Sequence, residues 1–180
     1  MTRRNTIVKY LDWLAAQRGE GQSIMAMEIG RLRDVAETVG HSTLFIAEHP
    51  AVARLVSVDL NPDTERVCRG FLPPAMLAKV EFVNMPSTAW LEHGGQEGLR
   101  FDFAYVDGAS DAAQCLIDIQ GTLRLLRQGG IMIQDDVDHR FDVKGDLSVP
   151  WLKSKPWRCD VLEEVPADAT SQGQIVVCKV

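Results

Sequence analysis

Five short apolar runs recur along this chain, each closed by polar, glycine or proline residues and each followed by a segment suited to a helix. They are "SIMAMEI" (23–29), "ARLVSVDL" (53–60), "AKVEFVNM" (78–85), "FDFAYVDG" (101–108) and "IMIQDD" (131–136). Short runs rich in apolar residues suit strands covered on both faces. Parallel strands need crossover connections, and helices supply them with a fixed right hand. The alternation therefore predicts an α/β chain built on a parallel sheet.

The segments between the runs carry their own start and stop signals. Residues 4–18 place Ile7, Leu11 and Leu14 at i, i+4 and i+7, an amphipathic stripe closed by Gly19 and Gly21. Residues 41–49 suit a helix with Ser42 as N-cap, and Asn61-Pro62 followed by Asp63 and Glu65 opens another over 61–71. Pro73-Pro74 reads as a stop, Pro86 to Glu92 as a short helix closed by Gly94-Gly95, and 110–127 as a long helix ending at Gly129-Gly130. "WRCDVLEEV" (157–165) and "QIVVCKV" (174–180) read as an antiparallel pair that adds a reversed strand at one edge. The expected fold is α/β: a Rossmann-like, doubly wound seven-stranded sheet, mostly parallel, with an antiparallel C-terminal edge hairpin and helices on both faces. One domain is expected over 1–180, with 1–22 as an N-terminal helix.

Composition removes several classes of function. At 180 residues, 46% hydrophobic and 24% charged, the chain reads as one globular domain. A net charge of −6 and a longest basic run of Arg3-Arg4 argue against nucleic acid as a partner. No apolar run approaches bilayer thickness, so no membrane partner is expected. Lys9 and Asp12 interrupt the N-terminal apolar stretch, so no signal peptide is read and a cytoplasmic location is expected. Cys68, Cys115, Cys159 and Cys178 form no CxxC pair and read as reduced, mostly buried thiols.

Open parallel sheets bind ligands at the carboxyl ends of their strands, near the point where strand order reverses. Those ends carry Glu28-Ile29-Gly30, Asp59, Asn84-Met85-Pro86-Ser87, Asp107-Gly108 and Asp135-Asp136. Asp59 is placed to accept hydrogen bonds from a ribose diol. Its plain alternative is a strand-end aspartate beside a helix start, a role that Asn61 already fills.

"MEIG…GHSTLFIAE", "VSVDLNPDT", "VEFVNMPSTAWL", "FDFAYVDGAS" and "LRLLRQGGIMIQDD" follow one another in order. In that order the chain resembles class I S-adenosylmethionine-dependent methyltransferases, in particular the branch of catechol-type and cephalosporin-tailoring O-methyltransferases. The resemblance covers nearly everything from 24 to 180. It implies that Glu28 and Gly30 form the turn beneath the amino-acid part of the cofactor, with Arg31 beside it. Ser42 would hold the cofactor carboxylate, Asp59 and the following Leu60 the ribose, and Met85, Pro86 and Ser87 the adenine border. Asp107 would lie near both the methionine end and the acceptor. In the family the second glycine follows the first closely. Here Gly30 and Gly40 stand ten positions apart, so "DVAETV" (34–39) looks like a six-residue insertion that either folds over the cofactor or loosens the pocket.

Asp107, Asp135 and Asp136 would share one cavity, because they end strands that are neighbours in this fold. Clustered carboxylates repel unless a proton or cation intervenes, and hard oxygen ligands suit Mg²⁺. In the resembled branch such a metal holds and activates the acceptor hydroxyl. The alternatives are a turn at Asp107-Gly108 and a capping role for Asp136. Successive strand residues also point to opposite faces, so Asp135 and Asp136 meet in one site only if the chain turns there. Two departures stand out: "DGAS" places Ser110 where the branch often has histidine, and Asp135-Asp136 replaces an Asp-Asn pair.

His139 is the histidine nearest this cluster and is the expected general base, with an exposed loop histidine as the alternative. The function implied is methyl transfer from S-adenosylmethionine, with Asp107 and His139 catalytic, to an oxygen of a small molecule or sugar, with or without Mg²⁺. Little chain precedes the first strand to act as a lid, so a homodimer is one way of completing the acceptor site. The other reading is a catalytically degenerate, methyltransferase-like binding module.

Overall fold

In the computed structural model, residues 2–19, 21–31, 41–109, 111–138, 142–164 and 173–180 are described. The first helix, α1 (Arg3–Arg18), leads into β1 (Ile24–Ile29), then α2 (Ser42–Glu48) and β2 (Val52–Asp59). Next come α3 (Pro62–Phe71), α4 (Pro74–Leu77), β3 (Val80–Asn84), α5 (Ser87–Gln96) and β4 (Phe101–Val106). The chain continues through α6 (Ala112–Leu125), β5 (Leu126–Gln134), α7 (Gly145–Lys153), β6 (Arg158–Glu164) and β7 (Gly173–Lys179). The strands form one sheet in the order β3-β2-β1-β4-β5-β7-β6. β1 to β5 pair in parallel, whereas β7 runs antiparallel to both β5 and β6. The order reverses between β1 and β4, which fixes the crevice where a ligand is expected.

Strand periodicity divides the core into two layers. Ile24, Ala26, Leu55, Phe103, Tyr105 and Ile131 pack with Ile7, Leu11 and Leu14 of α1 and Ile46 of α2. Met27, Ile29, Val58, Ala104, Val106 and Met132 pack on the other face with Trp90 of α5 and Ile119 of α6. All six residues of β4 are buried, as a central parallel strand requires. At its amino end Asp102, also buried, accepts the Met25 N–H at 2.8 Å and pairs with Arg127 at 2.6 Å and with Arg18. One carboxylate thus ties together the end of α1 and the starts of β1 and β5.

Glu28, fully buried in β1, does the corresponding work near the carboxyl edge. It accepts Thr43 Oγ1 and Ser57 Oγ at 2.6 Å each and Ser42 Oγ at 3.2 Å, fixing α2 and β2 to β1. Burial pushes its carboxyl up to about 7, and the three hydroxyls and Arg31 only partly oppose that rise.

The cap at Asn61 forms as expected, its side chain accepting the Asp63 N–H at 3.0 Å. Several boundaries differ. Pro74 begins the short α4 instead of only stopping a helix, since a proline fits the first helical turn. α5 runs through Gly94 and Gly95 to Gln96; Gly98, at φ +72°, lies just beyond it in the left-handed conformation. Gly129 and Gly130 belong to β5, where Gly129 donates to the Val180 carbonyl and the Val180 N–H returns to Gly130. Helix α7 was not foreseen. His41 stands at the N-cap position of α2 and Ser42 is its first helical residue.

The cysteine expectation needs correcting in part. Cys159 and Cys178 face each other in the β6–β7 register and are joined as a disulfide, whereas Cys68 and Cys115 are free and buried. Sequence spacing of 19 hides a pairing that the antiparallel ladder makes direct. Closing a loop of that size contributes about 3 kcal/mol through the unfolded chain. Thiol titration of the denatured, unreduced protein should count two of the four cysteines. A count of four would mean that the ladder alone holds this edge.

Glu28 generates a second expectation. Its folded carboxyl titrates near 7 against an ordinary value of 4.5, so the folded state binds the extra proton between them. The stability so contributed is complete below the lower value and is lost as pH rises through the upper one. About 3 kcal/mol is involved, at roughly 1.4 kcal/mol per pH unit. Glu28→Gln should therefore flatten the decline in melting temperature between pH 5 and 8 relative to the wild type. Parallel pH profiles would show that Glu28 carries no such shift.

Candidate functional site

The crevice begins where the turns after β1 and β4 meet. Gly30 has φ +81°, and a Cβ there would lie 2.6 Å from the Asp107 carbonyl oxygen. Gly108 answers it, since a Cβ there would lie 2.7 Å from the Ile29 side chain. Only glycine fits positions approached this closely by backbone. The Gly30 N–H bonds Val58 O and the Asp107 N–H bonds Ile29 O, both at 2.8 Å, so the ladder continues into the turns.

Asp59 stands at the end of β2, where its Oδ2 accepts the Arg31 N–H at 3.1 Å and its Oδ1 the Asn61 N–H at 2.8 Å. An ionised carboxylate offers about four lone-pair sites, so two backbone bonds orient it without exhausting it. Leu60 beside it is 70% exposed and Met85, at the end of β3, is 38% exposed. Apolar side chains left in water at a sheet's carboxyl edge make a surface on which a planar ring can lie. Pro86 is exposed next to them.

The side chains of three expected cofactor residues make hydrogen bonds within the protein. Glu28 lies beneath the turn with its carboxyl committed to hydroxyls. The Ser42 hydroxyl points to Glu28, and Ser87 Oγ donates to Asp118 Oδ1 of α6 at 2.6 Å. These side chains build the floor and walls of the crevice. Arg31 is likewise buried: its guanidinium donates to Ser57 O, Val83 O and Asn84 Oδ1, bridging the ends of β2 and β3, and lies 5.3 Å from the Phe82 ring. Loop spacing alone could not foresee that bridge. The 34–39 segment with Gly40, Ser110 and His139 all lie outside the described residues.

Asp107, Asp135 and Asp136 do converge, with one carboxylate oxygen from each lying within 4.8 Å of the other two. The turn that this needs is present. β5 ends at Gln134, and Asp136 adopts φ +52°, a left-handed conformation that aspartate tolerates better than most residues. The chain's own cations meet this cluster. Lys144 Nζ lies 2.7 Å from Asp107 Oδ1 and 3.0 Å from Asp136 Oδ2, and Arg3 contacts Asp135 at 2.5 Å and Asp136 at 3.7 Å. The Tyr105 hydroxyl also donates to Asp135. Burial raises the Asp107 carboxyl, with Lys144 opposing. Burial works against the Lys144 ammonium, but Asp107 and Asp136 outweigh it and hold its pKa above the ordinary lysine value.

A divalent ion does not fit this arrangement as it stands. An ammonium already spans two of the three carboxylates, and a hard cation would need the same oxygens at about 2.0–2.5 Å. For a sulfonium cofactor the described residues do offer partners: Asp59 retains acceptor capacity, and Leu60 and Met85 are open to a ring. Lys144 and Arg3 were missed in the sequence because neither ends a strand. The nearest signal is the N-terminal "RR", which reads as surface charge.

Two cavities lie apart from the crevice. One of about 590 Å³ opens among Ala15, Gly21, Ser23 and Pro50. Another of about 930 Å³ separates α1 from the β6–β7 edge. Among the described residues, no helix is long and apolar enough to cross a membrane.

The fold has close counterparts among solved structures. An O-methyltransferase from Bacillus cereus in complex with SAH superposes with a TM-score of 0.74 at 20% identity, covering 97% of this chain and 81% of that one. The O-methyltransferase TomG from Streptomyces achromogenes, involved in tomaymycin synthesis and solved with SAM, gives 0.72 at 21% identity, covering 96% and 78%. No curated protein matches the sequence. A family model described as a methyltransferase domain matches residues 38–137, more than half of the sequence and the stretch from α2 past the end of β5. The chain belongs to that methyltransferase domain family.

Proposed function

We propose that this chain transfers a methyl group from S-adenosylmethionine to an oxygen of a small molecule or sugar. The observation that carries the reading is Asp59, held by two backbone N–H groups at the edge of the switch-point crevice with exposed Leu60 and Met85 beside it. Asp59 would accept the ribose hydroxyls, and Leu60, Met85 and Pro86 would flank the adenine. Gly30 and Gly108 hold the β1 and β4 turns in close contact beneath the place where the amino-acid portion would pass. Family membership supports transfer of a methyl group, and the cofactors named for the solved counterparts support its source.

Bound S-adenosylmethionine supplies an electrophilic methyl carbon, whose bond to sulfur breaks as a bond to the acceptor oxygen forms. What the chain adds is placement and charge. Asp107, at the meeting of the two turns, faces both the proposed methionine end and the carboxylate cluster, and we assign it the acceptor's proton. Its raised pKa makes it a better base than an ordinary aspartate. His139 remains a second base by sequence position. The acceptor is read as a small molecule, without nucleic-acid or membrane partners, in a cytoplasmic setting and in a single domain over 1–180. A second copy of the chain is proposed to complete the acceptor side.

Calorimetric titration with S-adenosylhomocysteine tests the assignment. Micromolar binding is expected in the wild type. Asp59→Asn should weaken it about tenfold or more, since bonds to a charged acceptor contribute roughly 1.5–3 kcal/mol. Thermal melts of the same variant separate that loss from any loosening of the turn. Unchanged affinity would remove the ribose role, and a wild type that does not bind would leave the non-catalytic module as the better reading.

A further inference from the structure

The carboxylate cluster at the ends of β4 and β5 is met by a lysine whose backbone is anchored to the sheet it serves. The Lys144 carbonyl accepts the buried Gln134 amide at 3.2 Å and Ser148 Oγ at 3.0 Å, while its N–H donates to Asp142 Oδ1 at 2.9 Å. The next residue, Gly145, lies so near the segment that follows β5 that a Cβ there would fall 2.4 Å from the Val137 carbonyl oxygen. The start of α7 is therefore pressed against the end of β5, and the side chain is only 7% exposed. An exposed lysine swings freely and is held by solvent. This one is fixed at its root by three hydrogen bonds and at its tip by two carboxylates.

Charge decides what else the cluster can hold. Among the described residues three carboxylates meet one ammonium and one guanidinium, because Arg3 covers the Asp135 side while Lys144 bridges Asp107 and Asp136. A divalent ion among the same oxygens would bring two further positive charges within a few ångströms of both cations, in a region where burial weakens screening. It would also have to displace the ammonium from both of its acceptors.

We propose that Lys144 is the resident cation of this site, occupying the place of a divalent metal between Asp107 and Asp136, so that the cluster takes up no Mg²⁺ and the enzyme works without it. The proposal rests on the methyl-transfer reading for its functional meaning, although its central observation does not. Among the described residues two ammonium hydrogens are spent on carboxylates, which leaves the third for a ligand oxygen. Lys144 thereby holds the carboxylates together and keeps positive charge beside the acceptor, the two services a bound metal would render.

Titration with Mn²⁺, followed by electron paramagnetic resonance, reads the site without depending on activity. The wild type should show no saturable Mn²⁺ binding up to millimolar concentration, and its affinity for S-adenosylhomocysteine should be the same with and without a chelator. Lys144→Met, which keeps the chain length and removes the charge, should acquire a Mn²⁺ site at least tenfold tighter than any in the wild type. Lys144→Arg, which restores a cation, should not. Saturable binding to the wild type that Asp136→Asn abolishes would overturn the proposal, as would a folded Lys144→Met protein that gains no site. If Lys144→Met does not fold, the wild-type titration decides by itself. Failure of the wild type to bind S-adenosylhomocysteine would instead count against the methyl-transfer reading.

Discussion

The close approach of two turns governs this structure. After β1 and β4 the chain bends away from the sheet at Gly30 and Gly108, and each glycine fills space that a side chain on the other would need. The contact joins the two central parallel strands at the point where strand order reverses, so the sheet opens outward from a seam with no bulk in it. The proposed site spreads from that seam: Asp59 at the end of β2 on one side, Asp107 after β4 on the other, and Asp135 and Asp136 just past β5 one strand further on. An added methyl group at Gly30 would push the β1 turn into the Asp107 carbonyl and widen the spacing on which both halves depend.

Charge is distributed along the sheet with equal economy. At the amino edge a single buried carboxylate, Asp102, gathers a backbone N–H and two arginines from three elements. At the carboxyl edge, among the described residues, three carboxylates gather a lysine and an arginine from segments far apart in sequence. Buried ion pairs add little net stability once desolvation is counted, but removing one partner leaves an uncompensated charge. These clusters are better understood as fixing which segments lie together than as adding to stability. Arg3 in particular brings the start of α1 to the end of β5, across the sheet from where that helix ends at Arg18.

Most of the architecture was legible in the sequence, and for a clear physical reason. Strands buried on both faces leave continuous apolar runs, and each of the seven strands was anticipated, most within two residues of its limits and β5 with its later part. The Asn61-Pro62 start was readable because capping chemistry is local. Signals that depend on tertiary context were not. Gly94-Gly95 reads as a helix stop, but the helix packs on α6 and continues to Gln96, just short of the positive φ of Gly98. Gly129-Gly130 likewise reads as a stop and instead pairs with the last residue of the chain. For the site, the three clustered aspartates could be found from strand ends alone. The inward turn of Ser42, the burial of Arg31 and the arrival of Lys144 could not, because each depends on partners distant in sequence.

The left-handed backbone at Asp136 has an evolutionary consequence. Asparagine is the other residue that accepts this conformation readily, so the two can exchange here with little backbone strain. Their codons differ by a single base. One mutational step would remove one negative charge from the cluster and weaken the grip on the Lys144 ammonium, while leaving the fold of the turn intact. The charge at this corner of the crevice can therefore change without a change in the path of the chain.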